Sequence, residues 1–205
     1  MPDTGRSCGS CDLCCTVLRV DELEKPARVS CEKLRADGDG CSIYATRPSI
    51  CRTYKCAWLL GSLGDDDRPD RLGAVLDITL RGDRLWLEIH EESPGAFERS
   101  ERLREIAQEY RPSAHVRVSD ADRAAEPDRP FRILLADGIE QRVHGTRIDV
   151  FQNGALIDST EIGWLRRTAA RLLQAWRLRH APEGALRRGD RGLAHPERED
   201  ERNDR

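Results

Sequence analysis

All eight cysteines of this 205-residue chain, Cys8, Cys11, Cys14, Cys15, Cys31, Cys41, Cys51 and Cys56, lie near the N-terminus, and none follows Cys56. They run as Cys8-x2-Cys11-x2-Cys14-Cys15, then Cys31 and Cys41, then Cys51-x4-Cys56. Two intervening residues let a pair of thiolates converge on one ion from a tight knuckle, which is the spacing of zinc and iron–sulfur sites. Here the knuckle is doubled. Cys14 and Cys15 are neighbours whose side chains tend to diverge, so they are expected to serve two metal centres, or opposite sides of one polynuclear centre. Eight thiolates make two four-cysteine sites with none left over. Thiolates, not thiols, are the ligands, and nearby cations favour the deprotonated form. Arg47, Arg52 and Lys55 surround Cys51 and Cys56 and are candidates for that supporting role. The plainer reading of each is an exposed charge.

An even cysteine count also admits a disulfide framework. Disulfides belong to oxidising compartments, and Met1 to Cys15 carries neither the basic end nor the apolar stretch of a signal peptide. Metal coordination in the cytoplasm is therefore the expectation, ahead of disulfides and of unrelated free thiols. Zinc suits closed four-cysteine sites. Three cysteines at two-residue intervals also look like the start of a ferredoxin run, but that run continues with three residues and then Cys-Pro, whereas Cys14 is followed at once by Cys15. Zinc and iron both stay open, an iron–sulfur cluster included.

CGSCDLCC at Cys8 to Cys15 and CSIYATRPSICRTYKC at Cys41 to Cys56 together resemble the YkgJ-type cysteine-cluster family, described as a zinc- or iron-chelating domain with a CxxCxxCC signature. In that family the signature is followed by a further cysteine before a leucine-containing stretch, and then by C-x-[IV]-Y-x2-RP-x2-CR-x-[YF]-x-C. Cys31 and Leu34 fill the first of these, and Cys41, Ile43, Tyr44, Arg47, Pro48, Cys51, Arg52, Tyr54 and Cys56 the second. The likeness covers roughly residues 8–60. It implies metal binding through the cysteines and leaves metal and task open. Flagellin lysine methylases resemble the same family in their cysteine region, so a redox or modification enzyme is the alternative function.

Little else in the chain has the spacing of a catalytic site. His90, His115, His144, His180 and His195 are scattered and read as ordinary. Asp77 would face Glu88 across a hairpin, a like-charge pair able to hold a cation, but solvated carboxylates are the simpler account. Asp137-Gly138-Ile139-Glu140 and Asn153-Gly154 are explained by turn chemistry. No phosphate-binding loop, dinucleotide fingerprint, nucleophile elbow or catalytic triad is present. Arg166, Arg167, Arg171, Arg177 and Arg179 could meet phosphate or an acidic partner, yet the net charge of −3 offers no general pull toward nucleic acid, and a solvated face is expected. Only three of the 34 basic residues are lysines, a skew attributed to base composition.

The elements that must position the cysteines are sparse. Up to Gly61 turn formers such as Asp37-Gly38-Asp39-Gly40 dominate, and the few large apolar residues, including Leu13, Val17, Leu18, Leu34, Ile43, Ile50 and Trp58, must pack around something else. Beyond a polar break at Gly64 to Asp70 the pattern becomes strands. Leu72 to Leu80 and Leu85 to His90 predict a hairpin through Gly82-Asp83, pairing Leu80 with Leu85, Ile78 with Leu87 and Leu76 with Ile89 on one face. Ser93-Pro94 predicts a helix start, continued by Leu103, Ile106, Ala107 and Tyr110 and ended by Pro112. Ala114 to Ser119 reads as a strand, Asp120 to Pro130 as a loop, and Phe131 to Ala136 with Ile139 to Val143 as a second hairpin. Arg147 to Gln152 with Ala155 to Ile157 reads as a third. Asp158 and Glu161 have capping-box spacing before a second helix striped by Ile162, Leu165, Ala169, Leu172 and Trp176.

The expected architecture is α+β: a loop-rich, metal-knit cysteine module over residues 1–63, a mainly antiparallel sheet with two helices over 64–181, and a disordered charged tail over 182–205. With 38% hydrophobic and 35% charged residues and no run near the ~20 apolar residues of a spanning helix, no membrane association is expected. A protein partner is conceivable and nucleic acid is not expected.

Overall fold

The structure is a computed structural model that describes residues 4–37, 40–119 and 129–163. In chain order its elements are α1 (Leu13–Val17), α2 (Ser49–Thr53), α3 (Pro69–Leu72), β1 (Ala74–Arg81), β2 (Arg84–Glu91), α4 (Ala96–Arg99), α5 (Glu101–Tyr110), β3 (Ala114–Ser119), β4 (Phe131–Leu134), β5 (Ile139–His144), β6 (Arg147–Gln152) and β7 (Ala155–Glu161), with single 3-10 turns at Asp21–Leu23 and Tyr44–Thr46.

The seven strands form one sheet in sequential order. Every neighbouring pair is antiparallel except β2 and β3, whose parallel pairing requires the crossover that α4 and α5 provide. The fold is thus α+β with a mainly antiparallel sheet. The first hairpin has the register that its pattern predicts, with Leu76 opposite Ile89, Ile78 opposite Leu87 and Leu80 opposite Leu85. The second and third hairpins also form, and β7 runs on to Glu161.

Period-two alternation gives the sheet two different faces. On one, Leu76, Leu87, Ile89, Val116, Val118 and Leu134 pack against Leu103, Ile106 and Ala107 of α5. On the other, Val75 packs with Leu13 and Val17 of α1 and with Cys56. Leu13 and Val17 stand four residues apart, one helical turn, so even the five-residue α1 presents an apolar pair to the sheet. The cysteine segment also reaches the main core through Ala57 and Leu63, and the Ala57 N–H donates to the Leu76 carbonyl at 2.7 Å, on the free edge of β1.

Three expectations need correction. The expected strand over Leu72 begins at Ala74, because Pro69–Leu72 closes a helical turn ended by Gly73 in the left-handed region. Ser93-Pro94 does not cap the long helix: Gly95, at φ +77°, starts the short α4, and Ser100 caps α5 by accepting a hydrogen bond from the Leu103 N–H at 3.2 Å. Asp158 and Glu161 form no capping box, since both lie in β7, where Asp158 faces Val150 and Glu161 faces Arg147. Cross-strand pairing with β6 outweighs the local helix signal there. Most of the expected 120–130 loop, the second helix beyond Gly163 and the charged tail lie outside the described residues. Among the described residues no helix is long and apolar enough to cross a membrane.

Candidate functional site

The knuckle of the first cysteines is built by main-chain bonds. The Cys11 N–H donates to the Cys8 carbonyl at 2.9 Å, and α1 then carries Cys14 and Cys15. The Cys31 N–H donates to the Cys15 carbonyl at 3.1 Å, bringing the next stretch back to α1. From there the Leu34 N–H bonds the Cys31 carbonyl at 3.0 Å, and Leu34 forms an isolated bridge with Cys41. Gly40 crosses the first knuckle so closely that a Cβ on it would lie 2.9 Å from the Gly9 carbonyl oxygen, and its φ of +75° suits glycine. Cys51 sits on α2, whose start is held by the Glu22 carboxylate: it accepts from the Ser49 and Ile50 N–H groups at 3.0 and 2.9 Å and from the Ser49 hydroxyl at 2.7 Å.

All eight cysteines are free and line one cavity of about 460 Å³. Cys56 is buried and the other seven are half-buried. The Cys14 and Cys15 sulfurs are 4.0 Å apart. Among the described residues, no three His, Cys, Asp or Glu side chains stand in a metal-holding group. The donor set nevertheless suits zinc or iron in kind, since thiolates are the preferred ligands of both at such spacings.

The cavity is electrically uneven. The hydrogen bond shared by Cys14 and Cys15 pushes the Cys14 thiol up and the Cys15 thiol down to about 7, with Lys25 and Arg47 also favouring the Cys15 thiolate. Burial pushes Cys11 and Cys51 up, and Cys56 up to about 11. Lys25 is only 6% exposed, and its ammonium donates to the carbonyls of Thr16, Leu18 and Pro26. Desolvation lowers its pKa, while the charges of Cys31, Cys15, Cys14 and Cys51 raise it.

The far wall of the same cavity is polar and belongs to the sheet. Asp77 and Glu88, paired across the first hairpin, are not solvated as the sequence suggested. Asp77 accepts a hydrogen bond from the Tyr54 hydroxyl and lies 3.2 Å from His90 Nε2, which is also 3.7 Å from Glu88. Glu88 is held further by Arg81 and, at 3.6 Å, by Arg117. Like charge is thus offset by cations and donors. His90 is therefore not ordinary, although its spacing gave no hint of this. Burial and the Asp77 carboxylate keep the Tyr54 phenol protonated far above its usual range.

Of the three cations expected near the cysteines, Arg47 lines the cavity with its guanidinium 3.7 Å over the Tyr44 ring, while Arg52 and Lys55 are exposed and do not line it. Lys25 was missed. Its only trace in the sequence is that it is one of three lysines in an arginine-dominated chain, and a compact ammonium suits three converging carbonyls better than a planar guanidinium.

Fold and site define an α+β protein with an eight-thiol cavity seated on one face of its sheet. Comparison with family models, curated proteins and solved structures finds no match to this chain.

Proposed function

We propose that the protein binds zinc or iron through its eight cysteines. The observation that carries this reading is the gathering of all eight, drawn from separate stretches of chain, around one cavity as free thiols. The buried Lys25 ammonium supports it, because a buried cation among neutral carbonyls gains most from negative groups such as metal-bound thiolates. The resemblance of the two cysteine motifs to the YkgJ-type family points the same way. Such ligands stay available in a reducing compartment, so a cytoplasmic location belongs to the proposal. Bound metal would supply cross-links between cysteine stretches that have little apolar packing of their own. The test is elemental analysis of protein purified without oxygen: zinc or iron at a fixed ratio to the chain is expected, and its absence would end the reading.

A second reading, an iron–sulfur redox or modification enzyme, draws on the shape of the cavity. The thiols share their cavity of about 460 Å³ with the polar side chains of Tyr54, Asp77, Glu88 and His90. In that case these four would orient a polar substrate beside the cluster. A brown protein with visible absorption that bleaches on reduction supports the enzyme; a colourless zinc protein overturns it.

A further inference from the structure

We infer that residues 164–181 of this chain fold back over the sheet and cover an apolar strip on β4, β5 and β6, on the same side as the cysteine segment. The inference is independent of the metal-binding reading.

Strand pairing tells the two sides of the sheet apart. Asp77, Glu88, Arg117, Ile133, Gln141 and Val150 stand opposite one another in a single row from β1 to β6, so their side chains share one side. At its β1 end this side carries Val75, packed with Leu13 and Val17 of the cysteine segment. At its other end it carries Ile133, Ile139, Val143, Ile148 and Val150. All five are half-buried, yet among the described residues none joins either core cluster. The opposite side of β5 and β6 is polar. There Arg142 pairs with Glu140 at 2.7 Å and Arg147 with Asp149 at 2.8 Å, and the Arg142 guanidinium lies 4.3 Å over the Phe151 ring. Such alternation marks the strip as the side that is covered and the other as the side that faces water.

The chain itself supplies the cover. After β7 the Ile162 N–H donates to the Thr146 carbonyl at 2.8 Å, so residue 164 starts beside the turn between β5 and β6, at the Val143 and Ile148 end of the strip. The sequence then places Leu165, Ala169, Leu172 and Trp176 at four-three-four spacing, the pattern of a helix with one apolar face. From Val143 to Ile139 the strip runs about 14 Å along β5, and from β6 to β4 about 10 Å across, a diagonal of about 17 Å. A helix over residues 165–176 reaches about 18 Å. A tethered segment faces the strip at an effective concentration in the millimolar range, which a second copy or a separate protein at micromolar concentration does not match.

The test uses the full-length protein purified without oxygen, with Trp176 replaced by the photo-crosslinking residue p-benzoylphenylalanine. Irradiation is expected to join position 176 to a peptide within residues 131–152 of the same chain, to an extent independent of protein concentration. In hydrogen exchange, full-length Leu172→Asp should speed the amides of β4 to β6 by about tenfold or more and leave β1, β2 and α5 as in wild type. Arg171→Asp, next to it but off the stripe, should change neither. Cross-links between chains that rise with concentration would show that a second copy covers the strip and would overturn the inference. Cross-links confined to residues outside 131–152, no cross-link at all, or wild-type exchange of β4 to β6 in Leu172→Asp would overturn it too. The cross-link introduces no charge into the stripe, so it decides the matter even if Leu172→Asp fails to fold.

Discussion

A buried ammonium is tolerated where negative charge answers it, and under the metal-binding proposal the cysteine thiolates are part of that answer for Lys25. Its three carbonyl partners satisfy the donors but carry no charge. Lys25→Met should therefore weaken metal retention by about 10- to 100-fold, as loss of a partner beyond the ligands commonly does. Competition with a chelator would measure this, and unchanged retention would remove Lys25 from the site. On the far wall, Tyr54→Phe deletes the hydrogen bond to the Asp77 carboxylate and should cost about 1.5 to 3 kcal/mol in a denaturant titration. At this scale the sequence was readable where spacing encodes chemistry. The cysteines stand out by their intervals, whereas Tyr54, Asp77 and His90 meet only through the folding of the cysteine segment onto the first hairpin, and Lys25 is buried only through the turn that bridges it to Val20.

The connection between the polar break and α5 is held by Asp67, which is 4% exposed. Its carboxylate accepts from Arg102 Nε and Nη2 at 2.8 and 2.9 Å and from the Gly64 N–H at 3.0 Å. The Arg102 hydrogen bonds hold its pKa below the usual carboxylate value. A depressed folded pKa adds stability that is complete above the ordinary value of about 3.9 and is lost as pH falls through the folded value. Acid unfolding of Asp67→Asn should therefore lack that part of the pH dependence, and the variant should be about 1.5 to 3 kcal/mol less stable near neutrality. Ser100→Ala should cost about 1 kcal/mol by removing the α5 cap, and Ser93→Ala less, in paired thermal melts. Equal effects would restore the start at Ser93. Only Ser93 reads as a cap in sequence; Gly95, with its positive φ, opens the short α4 after it, and the extended backbone of Ser100 separates α4 from α5. The first hairpin was legible because its six aliphatic residues alternate over a two-residue turn, so that a one-residue slip would turn all of them off the core face. The end of the last strand was not, since Asp158 and Glu161 suit a helix cap locally and are claimed by β6 instead.

For the molecule as a whole, the cysteine segment has few buried aliphatic residues of its own and leans on β1 through Leu13, Val17, Cys56 and Ala57. Structural zinc contributes on the order of 10 to 16 kcal/mol of apparent binding free energy at neutral pH, comparable to the whole stability of a domain. Chelation should consequently strip hydrogen-exchange protection from residues 8–60, while α5 and β1 to β4, with their own core, keep most of theirs. Equal protection of that segment without metal would mean that packing alone holds it. The most direct test is a joint count of metal and reactive thiols on the native protein purified without oxygen. The account predicts zinc or iron in one or two centres per chain and cysteines that become reactive only when the metal is removed. Native protein with no bound metal and eight reactive thiols would contradict it.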